Sequence, residues 1–157
     1  MSFQAMHDYG VRDVVSADEM DIIRENIEFL DQKPNYDSDT LTGTFTTSSA
    51  TYVSCMTITV ETYGGPLEIY AQFAGTDLYA DISVDGTYLG DPSFGSAYIA
   101  AVQEMVNIHY LFPIAAGTHT IVLAVKRVSS TATVRKMSDS SGGNYPRMHP
   151  ILWAYGG

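Results

Sequence analysis

Residues 41–90, LTGTFTTSSATYVSCMTITVETYGGPLEIYAQFAGTDLYADISVDGTYLG, decide the fold, because they string together alternating apolar runs and the turn signals that separate them. In the first full run Tyr52, Met56, Ile58 and Val60 are apolar, while Thr51, Thr57, Thr59 and Glu61 are polar. A period of two is the mark of a strand with one face buried and the other wet. Gly64-Gly65-Pro66 stops that run. The next sets Leu67, Ile69, Ala71 and Phe73 against Glu68, Tyr70 and Gln72; the third sets Leu78, Ala80, Ile82 and Val84 against Tyr79, Asp81, Ser83 and Asp85. Asp85-Gly86 closes it as a tight hairpin, the glycine supplying the positive φ of a type I′ turn. The pattern predicts an antiparallel β-sandwich.

Beyond Gly90, DPSFGS reads as a loop, and Ala97 to Ile114 reads as one long strand. Val102, Glu104, Val106, Ile108, Tyr110 and Phe112 share one side of it, opposite Gln103, Met105, Asn107, His109 and Leu111. Ala116-Gly117 is the next turn, after which Ile121, Leu123 and Val125 face inward. Ser129-Ser130 breaks this strand, and Ala132, Val134 and Lys136 share one side of a short successor. Residues 137–145, MSDSSGGNY, form a loop, and PILWAYGG closes the chain as a strand with Ile151, Trp153 and Tyr155 on one face. That strand is expected to be centrally paired, since the only tryptophan needs cover. The count is about eight strands, the usual number for a jelly roll. The sandwich is expected over residues 41–157.

Toward the N-terminus, residues 1–15 read as an extended arm offering Val11, Val14 and Val15. Ser16 and Glu19 make a capping box, so a short amphipathic helix is expected to start there, ending near Lys33 before Pro34. Its apolar residues Met20, Ile23, Ile27 and Leu30 recur at spacings of three and four. They either cover the chain's own surface or a neighbour's, or occupy the a and d sites of two short heptads that lean toward three strands. Residues 1–34 are thus read as an anchoring or oligomerisation segment. Asn35 to Thr40 reads as a polar linker, in which Asp37 and Asp39 lack the further oxygen ligands a divalent cation would need.

A chain of 157 residues with a net charge of −10 is one domain whose acidity argues against nucleic-acid binding, where phosphate neutralisation dominates affinity. The N-terminus lacks the basic start and apolar core of a signal peptide, and no run is long enough to span a membrane, so a soluble protein without a Sec leader is expected. Cys55, the lone cysteine, is expected to be a free thiol at an outward or edge position. His7, His109, His119 and His149 have no ligand-like spacing, and His119 reads as a hydrogen-bonding turn residue. No nucleophile elbow, Cys-His motif or phosphate loop is visible, so neither catalytic residues nor a cofactor or metal are expected. Glu61, Glu68, Glu104 and Asp81 lie on strands and could pair as glycosidase carboxylates, but a solvated strand face accounts for them.

The tyrosines say more. Tyr70 and Tyr79 fall on the outward faces of adjacent strands beside Gln72 and Asp81, a set that suits a subunit interface or a glycan-stacking face.

The helix ADEMDIIRENIEFL, the polar linker, then LTGTFTTSSATYVSC, GGPLEIYAQFAG, ISVDGTYLG and AAGTHTIVLAV together resemble the small β-sandwich proteins of tailed-bacteriophage virions. The resemblance runs from Asp18 onward and rests on strand-and-turn patterns. It implies a virion structural protein, assembled in the host cytoplasm as a homotrimer with a jelly-roll-like body, that contacts major capsid or tail proteins. A compact chain without a shaft fits a capsid decoration protein; the alternative is a tail- or fibre-associated carbohydrate- or receptor-binding module.

Overall fold

The computed structural model describes residues 20–24, 35–100, 104–135 and 151–156. The chain forms two units, Met1–Lys33 and Pro34–Gly157. In the first, residues 20–24 are helical, with Met20 54% exposed, Ile23 half-buried, and Arg24 Nη2 3.2 Å from Asp21 Oδ1. Val11, Val14, Val15, Ile27 and Leu30, with the capping box, lie outside the described residues.

Among its described residues the second unit contains eleven strand segments: β1 (Asn35–Thr40), β2 (Phe45–Thr47), β3 (Val53–Tyr63), β4 (Pro66–Thr76), β5 (Leu78–Val84), β6 (Thr87–Tyr88), β7 (Ala97–Ile99), β8 (Glu104–Pro113), β9 (Ala116–Arg127), β10 (Ala132–Arg135) and β11 (Ile151–Gly156). They build two antiparallel sheets. One joins β1, β11, β4, β10 and β2, with β8 on the far edge of β4; the other joins β3, β9, β5 and β6, with β7 also on β5.

The registers show that three pairs of segments each lie along a single strand line. Arg135 of β10 stands opposite Ala74 and Ile151 of β11 opposite Gln72, so β11 resumes the line that β10 leaves. Thr40 of β1 pairs with Ile151 and Phe45 of β2 with Val134, so β1 and β2 share the neighbouring line. Tyr88 of β6 faces Ser83 and Ala97 of β7 faces Ala80, along one edge of β5. The eleven segments therefore occupy eight lines; the number agrees with the expected count of about eight strands, while its members differ.

Taken in chain order, the first line pairs with the eighth, the second with the seventh, the third with the sixth and the fourth with the fifth. That nesting is a long antiparallel ribbon rolled into two facing sheets, the jelly-roll arrangement. Its tip is the β5–β6 turn, where Asp85 and Gly86 both have positive φ, 52° and 82°, the type I′ geometry expected of this dipeptide.

The rolled ribbon explains why β3, β4 and β5, consecutive in sequence, alternate between sheets and make no hairpin with one another. Their inward rows supply the core: Met56, Ile58 and Val60; Leu67, Ile69, Ala71 and Phe73; Leu78, Ala80, Ile82 and Val84. Ile121, Leu123 and Val125 of β9, with Ala132 and Val134 of β10, complete it. Each large apolar side chain so covered is worth about 1.5–3 kcal/mol.

The crossing from β4 to β5 takes one residue, Asp77, held at φ 56°. Its Oδ2 accepts from the Ser130 amide at 2.6 Å and hydroxyl at 2.9 Å, and its Oδ1 from the Ser129 hydroxyl at 2.8 Å. These bonds, the Ser130 amide foremost, hold the Asp77 carboxyl below its ordinary range and tie the β9–β10 loop to the crossing.

Three expectations are corrected. Asn35 to Thr40 is strand β1, recruited by β11 because the exposed polar sequence still offers a full backbone ladder. The expected strand from Ala97 to Ile114 is two strands in different sheets, β7 and β8, the ribbon crossing over between them. Cys55 is a free thiol on an edge strand, as expected, but not outward: a bulge between Ser54 and Met56 breaks the alternation, so the thiol turns partly inward and burial pushes its pKa up to about 12. β11 is centrally paired, between β1 and β4, as expected, with Ala154 buried and Tyr155 41% exposed. The side chains of Ile151 and Trp153, like Val102, Gln103, Lys136 and the 137–145 loop, lie outside the description.

Candidate functional site

The outer face of the β3–β9–β5 sheet holds the densest chemistry among the described residues. By alternation Asp81, Ser83 and Ala124 should face solvent, yet they are 1%, 4% and 1% exposed. The cause is the excursion between β6 and β7. Leu89 N donates to Ile82 O at one end of the segment and Ser96 N to Ala80 O at the other, both 2.8–2.9 Å, while Ser93 O in the middle accepts from Lys126 Nζ on β9 at 2.9 Å. A segment anchored at the edge of β5 and reaching β9 has crossed the outer face of β5.

Asp81 is the clamp beneath it. Its Oδ1 accepts from Ile82 N at 2.8 Å, from Gly90 N at 3.0 Å and from the Ser96 hydroxyl, which also bonds Tyr110 Oη at 2.7 Å. Gly95 is required where the segment turns back: its φ is +70°, and a Cβ there would meet Tyr52 Oη and, at 2.5 Å, Ala80 O. Asp91 folds the segment on itself, its Oδ1 accepting from the amides of Ser93 and Phe94 at 2.8 and 2.9 Å.

Aromatic rings form the surface. Tyr52 and Tyr88 lie 4.7 Å apart between ring centres, and Tyr79 lies 5.3 Å from Tyr98 and 5.9 Å from Phe94. Lys126 Nζ bridges the two groups, 4.4 Å from the Tyr52 ring centre and 5.4 Å from that of Tyr79, a cation–π arrangement. Phe94 is 60% and Tyr98 55% exposed. Burial, then the Asp81 carboxylate, pushes the Tyr52 phenol up to about 12, so it remains a neutral donor. Among the described residues Tyr52 Oη and Asp81 Oδ2 are buried without a hydrogen-bond partner. Such a surface can bind by ring stacking and apolar burial, and the described residues contain no cluster of three metal-ligating side chains.

Tyr70 and Gln72, grouped with Tyr79 and Asp81 from the sequence, are on the opposite outer face, because β4 and β5 belong to different sheets. There Tyr70 Oη and Gln72 Nε2 both donate to Asn107 Oδ1 on β8, at 2.9 and 2.8 Å, and His109 Nε2 lies 2.9 Å from Glu68 Oε1. The quartet is therefore not one face. Asp81 is also not exposed, so it clamps the surface without touching a partner. His119 does hydrogen-bond as expected, its Nδ1 2.7 Å from Asp85 Oδ2 and its Nε2 3.0 Å from Ala115 O. Tyr52, expected in the inward row with Met56, Ile58 and Val60, instead lies against Lys126 and Gly95 on this outer face, beyond the register shift at Ser54/Met56; Lys126 faces out as its alternation with Val125 implies, and the sequence reading does not single out Phe94 and Tyr98. The signal for Phe94 was a large apolar residue inside a turn-rich loop, where nothing local covers it.

No family model and no curated protein matches the chain. Among solved structures it is similar to the structure of infectious bursal disease virus, Gx strain, at 13% identity and a TM-score of 0.40, over 78% of this chain and 36% of that one. The chain thus spans about a third of the length of the chain it matches.

Proposed function

We propose that this protein is a non-enzymatic structural component of a virion, a capsid-decorating or stabilising subunit that docks through the outer face of the β3–β9–β5 sheet. The observation that carries the reading is the segment 89–96, clamped by Asp81 and Lys126 so that Phe94 is presented ready-placed beside Tyr98, which β7 fixes opposite Tyr79. Rigid aromatic anchors dominate binding energy at protein interfaces because little ordering entropy remains to be lost. The rolled ribbon suits the role, jelly rolls being common to capsid and lectin domains, and the strand-and-turn resemblance to tailed-phage virion proteins points the same way. On this reading the protein is made in the host cytoplasm and resides on the particle, its partners being major capsid or tail proteins.

Loading purified particles with wild type and with Phe94→Ala plus Tyr98→Ala tests this. The double variant should fold normally, since both rings are more than half exposed, and its occupancy should fall by at least about a hundredfold. Undiminished occupancy would reject the face. A second reading, a carbohydrate-binding module of a tail or fibre, is favoured by the exposed rings of Phe94 and Tyr98 beside the exposed Asp91 and Ser93. Glycan-array binding that vanishes with the same two substitutions, without particle binding, would select it.

A further inference from the structure

A sheet edge is a row of unpaired amides and carbonyls, and proteins normally break, charge or cover it. Three of the four edges here are managed. The β1/β2 line is interrupted at residues 41–44 and carries Asp37 and Asp39. Asp37 Oδ2 accepts from Thr59 N at 2.9 Å, so the β1 edge and the β3 edge of the other sheet blunt one another. The β6/β7 line is broken by the 89–96 excursion.

The fourth edge is β8, and among the described residues it has none of these devices. It runs ten residues against β4 in unbroken register, from Glu104 opposite Gly75 to Pro113 opposite Pro66, with no bulge. It has no lysine or arginine, and its proline and only carboxylate are its two end residues. Among the described residues no strand pairs with its other side. Its outward side chains include Met105, 45% exposed, and Leu111, 65% exposed, with Asn107 and His109 between them.

We infer that β8 pairs antiparallel with β8 of a second copy about a two-fold axis at Ile108, joining the two β4–β8 sheets into one. The sequence of the strand is complementary to itself in this register. Met105 meets the partner copy's counterpart of Leu111, and Asn107 that of His109, so outward apolar residues face apolar and polar face polar. On the inner side Val106 meets Tyr110 and Ile108 meets Ile108. The two Glu104 carboxylates fall at opposite ends, each across from Phe112, so a chain of net charge −10 brings no like charges together along the seam. Moving the register by two residues sets Met105 against Pro113 and Asn107 against Leu111, and the match is lost. A one-residue slip would put inward residues on the wet face. This pairing is independent of the virion proposal and uses a surface on the other sheet from Phe94 and Tyr98.

Sedimentation of the full chain over a concentration series tests it. The wild type should form a dimer. Met105→Lys with Leu111→Lys should raise the dimer dissociation constant at least about tenfold, about 1.4 kcal/mol, by placing ammonium groups opposite one another. Met105→Lys with Leu111→Glu should restore the dimer, which a merely unfolded or solubilised variant would not do. A monomer at every concentration, or a dimer or trimer indifferent to the first pair of substitutions, would overturn the inference; so would failure of the second pair to rescue.

Discussion

The two outer faces of this sandwich are made of the same kinds of residue and behave differently. On the β4–β8 side, tyrosine, glutamine, asparagine, histidine and glutamate bond to one another across a single strand pair, at distances of 2.8–2.9 Å, in reach of water. On the β5–β9 side, a chain excursion crosses the strands, removes Asp81 and Ser83 from solvent and lifts Phe94 into it. The lesson is that the outward rows of two strands do not define a binding surface; what is laid across them does. Polar groups left in water are nearly neutral to stability, while those roofed over must be satisfied and become costly to disturb.

That difference is broken most severely at the clamp. Asp81→Ala would leave the Gly90 amide and the Ser96 hydroxyl without their acceptor beneath the excursion, and chemical denaturation should show a loss of about 3 kcal/mol. Gly95→Ala comes next: the positive φ and the close approach to Ala80 O should cost about 2 kcal/mol, with particle or ligand binding through Phe94 weakened in parallel. Lys126→Met keeps the aliphatic stem but loses the contacts with Ser93 O and the two rings, for about 1 kcal/mol. Its sharper readout is faster amide exchange at residues 91–95. On the opposite face Asn107→Ala removes the shared acceptor of Tyr70 and Gln72, yet should cost only about 0.5 kcal/mol. A loss there equal to that of Asp81→Ala would erase the contrast between the faces.

The smallest effect separates two histidine–carboxylate pairs. The His119 side chain is 12% exposed against Asp85, whereas that of His109 is 54% exposed against Glu68. The hydrogen bond to Asp85 raises the pKa of His119 above its ordinary 6.5, and the same bond lowers Asp85 below 3.8. A raised histidine stabilises fully below its unfolded value and loses that contribution as pH rises through the folded one; a lowered carboxylate stabilises above its unfolded value and loses it as pH falls through the folded one. The melting-temperature gap between wild type and His119→Gln should therefore be widest between about pH 4 and 6.5 and should narrow on the alkaline side. Because Asp85 is half exposed the gap is modest, and the same substitution at His109 should change stability by less than about 0.5 kcal/mol.

Much of this was written in the chain. The alternation of β3, β4, β5 and β9 named most of the core residues, Tyr52 excepted, and Asp85-Gly86 named the turn that proves to be the tip of the ribbon. Side-chain alternation and turn chemistry are local, so they survive in any context. Which strand lies beside which was not local. Tyr70 and Tyr79 are nine positions apart in consecutive strands, yet stand on opposite outer faces because pairing partners such as β4 with β8 and β3 with β9 come from distant parts of the chain. Only the tertiary structure could recruit Asn35 to Thr40 as a strand, turn Cys55 inward at a bulge and roof Asp81, since each depends on backbone groups supplied from elsewhere. An amino-acid sequence states which way a side chain points along its own strand; the neighbour that will cover it is chosen when the ribbon rolls.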